Sequence, residues 1–256
     1  MHKHVRKGTN YWACTTDWLA VWRATLSVTK ETYEKLYRFA DDLFAAGEKH
    51  AVLDVLETRP PAYRKEMGIS YTQFMQNYAA QTGELRYLLF GSGAATVAKL
   101  GTLRLASRLC YFDAKGQQVE AAVTNLGLLL QEIYDKEKYR RYKGDDFRPY
   151  YISQDAAIGI YGDLIDLDQL TDSASSVVIT FALHSDIWFP WVWGFNFGGQ
   201  GEYKQDLYDN RLLANCHTPR LNAFLRETRQ LVEKDGGTWE MRRDYEGTSW
   251  YGWLVN

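Results

Sequence analysis

The sequence predicts an α+β fold: a mixed or antiparallel sheet packed by several amphipathic helices, with a helix-rich N-terminal third. Apolar residues recur at helical spacing through Tyr33, Leu36, Tyr37, Ala40, Leu43 and Phe44, and again through Leu221, Phe224, Leu225, Thr228, Leu231 and Val232. The run SVVITFALHSDIWFPWVWGFNF has the β-branched and aromatic content of strands. No repeat and no low-complexity linker interrupts the chain, so 1–256 reads as a single α+β domain, with 144–150 as the place where a subdivision would fall.

Each element follows from its own local signal. Alternating bulky residues in NYWACTTDWLAVWRATL suggest a strand or two. The first helix is expected to open at Thr29, with Glu31 in its first turn and Gly47 as a left-handed stop. EKHAVLDVLE reads as a short helix ended by Pro60-Pro61, and the stretch from Tyr63 to Gly83 as mostly helical. From Glu84, apolar runs mix with glycines, and strand and helix compete up to a turn signal at Asp113-Ala114-Lys115-Gly116. Leu126, Leu129, Leu130, Ile133 and Tyr134 restore the helical period before a highly charged stretch. Short irregular elements and a polar loop are expected from Arg148 to Ser176. The closing helix should be N-capped by Thr218 with Pro219 in its first position, and strand-like TWEMRRD and SWYGWLVN follow it.

Bulk properties narrow the function classes. With 46% hydrophobic and 24% charged residues the chain has the composition of an ordered globular protein, and only its aromatic share, 15%, stands out. A net charge of −2 and a pI near 6.2 argue against the broad basic field that binding to nucleic-acid backbones requires. No apolar run reaches the ~18–20 residues that span a bilayer, the nearest being broken by His184, Asp186 and Pro190, so no membrane is expected. The basic start lacks an uninterrupted apolar segment, because Asp17, Arg23 and Lys30 follow it, and a cytoplasmic location is the expectation. Cys14, Cys110 and Cys216 form no C-x-x-C pair, which points to reduced, mostly buried thiols and to no metal site.

The densest signal is HSDIWFPWVWGFNFGG, from His184 to Gly199. Read as one strand, Ile187, Phe189, Trp191, Trp193, Phe195 and Phe197 share a parity, giving an aromatic face over 187–197. Such a face either covers a core or forms an exposed platform. Pro190 cannot donate to a ladder, so it either places the strand at an edge, where a partner can dock, or bends the strand there. Trp188, Trp191, Trp193, Tyr203 and Tyr208 are the partner-binding candidates on this reading.

Catalytic signals are sparse. Gly91-Ser92-Gly93 after an apolar run resembles a dinucleotide-binding turn, yet Thr96 stands at the third-glycine position, and no cofactor is expected. DLIDLD lacks the glycine and glutamate of a calcium loop, and KEKYRRYK reads as a solvated helix end rather than an anion-binding patch. If the chain is an enzyme, His184, Asp186, His217 and Arg220 are the residues expected to act, with Asp206 and Asp209 available as carboxylate partners of His184. The function expected from the whole is a non-catalytic protein-binding module, an inhibitor or immunity/antitoxin-type bacterial protein that neutralises a partner protein. A hydrolase or transferase with that scattered site, or a small-ligand or carbohydrate binder using its aromatic residues, are the alternatives.

Overall fold

The computed structural model describes residues 5–7, 12, 14, 19–59, 62–82, 102–133, 156–162, 172–196 and 204–242. The fold is α+β, with the sheets largely antiparallel. Strand β1 (Val5–Lys7) pairs in parallel with β10 (Lys204–Asp209), which pairs antiparallel with β9 (Trp191–Asn196). A second sheet has the order β11-β2-β8-β7, built from β2 (Val21–Val28), β7 (Ile158–Gly162), β8 (Ser175–Leu183) and β11 (Thr238–Arg242). The third has the order β4-β3-β5-β6, built from β3 (Leu53–Arg59), β4 (Tyr63–Arg64), β5 (Thr102–Phe112) and β6 (Gln118–Val123).

Four helices are described: α1 (Glu34–Lys49), α2 (Tyr71–Thr82), α3 (Leu126–Ile133) and α4 (Arg211–Lys234). The first third is not dominated by helix, since α1 and α2 alternate there with β1 to β4. EKHAVLDVLE in particular yields the end of α1 and then β3. Leu53 and Val55 face the core, while the charges between and beyond them are held by the neighbouring strands: Arg108 Nε donates to Asp54 at 2.7 Å and Arg64 Nε to Glu57 at 3.2 Å. Paired in this way, Asp54 and Glu57 sit 8% and 7% exposed, so their charge does not mark a solvent face.

Helix α1 starts later than its pattern suggests. The Thr29 and Thr32 hydroxyls bond each other and nearby backbone N–H groups, holding 30–33 in turns, and the helix begins at Glu34. Gly47 lies within the helix rather than ending it. A Cβ there would sit 2.7 Å from Leu53 Cδ1, so glycine allows β3 to pass close to α1. The left-handed residue after the helix is Ala51, at φ 50. The Asp113–Gly116 turn forms as expected, with Asp113 Oδ1 accepting from the N–H groups of Lys115 and Gln117 at 2.8 Å each and Gly116 at φ 76.

Helix α4 opens at Arg211, eight residues before Pro219, which therefore lies inside it. Thr218 is not a cap: it is buried and its hydroxyl donates to the Trp188 carbonyl at 2.7 Å. The true start is set by Asn210, whose carbonyl accepts from Leu213 and Ala214 while its amide donates to the Ile187 and Phe189 carbonyls. The helix touches both four-stranded sheets. Phe224 packs edge-on to Phe181 of β8, and His217 meets the backbone of β5. Glu227 accepts from Lys49 Nζ at 2.7 Å and shares a 2.6 Å hydrogen bond with His50, which ties α4 to the end of α1.

Candidate functional site

The aromatic stretch divides into a buried half and a surface half. It is not one continuous strand: β8 ends at Leu183, residues 186–190 turn, and β9 begins at Trp191. Residues of both parities are consequently buried before the strand starts, with Ile187 and Trp188 0% exposed and Phe189 1%. Trp188 is therefore core and not a partner-binding surface. Its ring packs edge-on to His217 at 5.4 Å.

Trp191 is different. It is only half-buried, and β-pairing sets it directly opposite Asp209 of β10. Two residues on, Arg211 folds back over both: its guanidinium lies 4.8 Å from the Trp191 ring centroid and grips Asp209 through Nε at 2.9 Å and Nη2 at 2.7 Å. Bidentate pairing fixes the guanidinium plane over the indole. Leu212, next in sequence, is 73% exposed. Strand β9 also forms one side of its sheet, hydrogen-bonded only to β10 among the described residues, and Pro190 stands in the turn just before it, where the chain bends. The Pro190 carbonyl accepts from Asn210 N–H at 2.9 Å and locks the entry to β9 against the start of α4. Trp193 and Tyr208 lie on β9 and β10, with side chains outside the described set, and Tyr203 lies outside the described residues.

The residues nominated for catalysis do not converge. His217 is 0% exposed in α4; its Nε2 accepts from Cys110 N–H at 3.0 Å, so Nδ1 carries the proton and donates to the Leu213 carbonyl at 2.7 Å. Both ring nitrogens are thus used by backbone, and burial pushes the imidazole pKa down to about 4. Arg220 makes a two-pronged pair with Glu120 of β6, at 2.8 and 3.1 Å, which lowers the Glu120 pKa and raises that of Arg220. His184, just past β8, is buried and shares a 2.6 Å hydrogen bond with the Tyr161 hydroxyl of β7. Gly159 makes room for that pair, since a Cβ would lie 2.7 Å from the hydroxyl and 2.8 Å from His184 Nε2. Asp186 sits in the bend after His184 rather than on a shared strand face, and Asp209 is committed to Arg211.

The glycine-rich turn at 91–93, the DLIDLD segment and the KEKYRRYK segment lie outside the described residues. Among the described residues no cluster of His, Cys, Asp or Glu could hold a metal ion, and no helix is long and apolar enough to cross a membrane. Two surface features escaped the sequence reading. One is the Arg211–Leu212 pair. The other is an open groove of about 550 Å³ on the β4-β3-β5 sheet, lined by Leu56, Glu57, Arg64, Glu66, Met67 and Arg104. Arg64 and Arg104 lie opposite Glu57 on its two neighbouring strands, a juxtaposition set by strand register that no linear motif records. Comparison with models of known protein families, with curated proteins and with solved structures finds no match.

Proposed function

We propose that this chain is a protein-binding module, of the inhibitor or immunity type, that engages a partner protein through the surface where β9, β10 and the start of α4 meet. The observation that supports it is the Trp191–Arg211–Asp209 cluster beside the exposed Leu212. Tryptophan and arginine dominate the energetics of protein interfaces, and a guanidinium already held by a carboxylate loses little conformational freedom on binding. The edge strand adds backbone donors and acceptors beside that anchor.

Two of the catalytic candidates support the same reading, since His217 and Arg220 are engaged in holding α4 to β5 and β6. A cytoplasmic location and the absence of a cofactor requirement belong to this proposal as well. Its test is capture of a partner from the host lysate followed by titration of that purified partner against wild type and an R211A/L212D variant. Each substitution is on an exposed helical turn, so circular dichroism should be unchanged. Loss of hot-spot contacts worth about 2 kcal/mol weakens binding roughly thirtyfold. Equal affinity of the two chains, or no retained partner, overturns the reading.

A further inference from the structure

Two strand irregularities build the groove on the β4-β3-β5 sheet. Pairing of β3 with β5 slips by one residue between Val55 and Glu57, which makes Leu56 a bulge residue. Neighbours in a regular strand face opposite sides, yet Leu56 and Glu57 both line the groove. Strand β4 stops at Arg64, and a 3-10 turn, Lys65–Met67, continues against β3 and brings Glu66 and Met67 to the same groove. That turn is held on both sides: Lys65 Nζ pairs with Glu48 of α1 at 2.7 Å, and the Tyr63 hydroxyl donates to the Ile69 carbonyl at 3.1 Å. The lining carries four charges. Glu57, nearly buried, accepts from Arg64 Nε. Arg104 on β5 and Glu66 beyond β4 stand on opposite sides of β3, and among the described residues neither charged group has a partner. Leu56 and Met67, the latter 47% exposed, add apolar surface between them.

We infer that this groove binds a short peptide with free termini and apolar side chains, its carboxylate on Arg104 and its ammonium on Glu66. Charge decides the class. Two guanidiniums and two carboxylates line the groove, so a simple anion is opposed by Glu57 and Glu66, and a simple cation by Arg64 and Arg104. A zwitterion meets the unpartnered cation and the unpartnered anion together. The guanidinium takes a carboxylate through two parallel N–H donors, and an ammonium, which only donates, matches Glu66. Apolar side chains rest on Leu56 and on the unbranched, adaptable thioether of Met67. At about 550 Å³ the groove has the size of a small-ligand site. A single amino acid carries both charges on one carbon, whereas β5 and β4 are two strand spacings apart, about 10 Å, which suits two or three residues.

The experiment titrates the full chain with leucyl-leucine, and with its N-acetylated, amidated and doubly capped forms, and follows nuclear magnetic resonance shifts. Expected is saturable binding of the free-ended dipeptide, with shifts at Leu56, Met67 and Arg104, and affinity about tenfold weaker for each singly capped form. Arg104→Gln should weaken the free dipeptide and the N-acetylated form about tenfold and leave the amidated form unchanged, and Glu66→Gln should do the reverse. Both side chains are exposed, so neither substitution disturbs the fold. This crossed pattern is one that a purely structural role for either residue does not produce. Equal binding of the doubly capped dipeptide, affinities indifferent to both substitutions, or no shifts up to about 10 mM dipeptide would each overturn the inference.

Discussion

His217 shows how completely a catalytic-looking residue can be absorbed into structure. Strand β5 outruns β3: the last pairing is Leu53 with Ser107, and Arg108 N–H reaches back to the Val52 carbonyl, which leaves the next donor, Cys110 N–H, without a strand. The imidazole accepts it. This neutral role gives a pH dependence with a definite sign. The folded pKa is lowered to about 4 against an ordinary 6.5, so the unfolded chain binds the extra proton first as pH falls. The stability that His217 confers is complete above about pH 6.5 and is lost towards pH 4, with a span on the order of 3 kcal/mol. Denaturant titrations of wild type and His217→Gln across that window check it. The variant should lie about 1–3 kcal/mol below wild type at pH 7, because a buried backbone donor is poorly matched, and the difference should shrink on acidification. Parallel curves would refute the assignment.

Sequence could nominate His217 and Trp188 but not place them. Trp188 was offered as a partner-binding residue on the reading of 187–197 as one strand, and the turn at 186–190 interrupts that strand. Trp191 was legible as an aromatic beside a proline that marks either a sheet edge or a bend. Its partner Arg211 was not, since the contact depends on β9 and β10 meeting in one register.

Among elements, those with their own repeating period could be read directly: α1, α3, most of α4, β8 and β11 all carry side-chain patterns that burial then used. Strand β3 could not, as its buried carboxylates are neutralised by arginines from other strands. The start of α4 was hidden by Thr218-Pro219, which imitates a helix N-terminus while the helix runs through it. Helix α2 has a local start signal, the Ser70 hydroxyl accepting from Gln73 N–H at 3.1 Å, and a second one that comes from another helix. Its first N–H groups, of Tyr71 and Thr72, donate to the two carboxylate oxygens of Asp41 on α1, at 2.6 and 2.9 Å. Replacing Asp41 with alanine removes a cap and a helix–helix tie together, at a cost of about 1–2 kcal/mol. Amide exchange should accelerate at the start of α2 and stay unchanged in β8. Unaltered exchange at Tyr71 and Thr72 would show that the cap is dispensable.

Across the molecule, α4 is the part both large sheets share. His217 and Arg220 face β5 and β6, Phe224 faces β8, and Glu227 reaches α1. Phe224→Ala should therefore destabilise the chain by about 3–5 kcal/mol through the cavity it leaves. The loss should appear as one transition, with backbone ellipticity and tryptophan fluorescence coinciding and exchange accelerating in β2 and β5 together. Loosening confined to β2 and β8 would mean that the two sheets unfold independently.

The strand orders bear on the sequence of events during synthesis. The β4-β3-β5-β6 sheet draws only on residues 53–123 and can assemble as soon as that segment is free. Strand β2 has no such neighbour: its flanks are β8 and β11, so one edge waits for residues 175–183 and the other for 238–242. An apolar strand made early and paired late must stay unpaired through most of elongation, exposing the edge that invites wrong partners. The charged and hydroxyl side chains of Arg23, Thr25 and Ser27, alternating with the buried residues of β2, are placed where they limit such pairing until the last strand arrives.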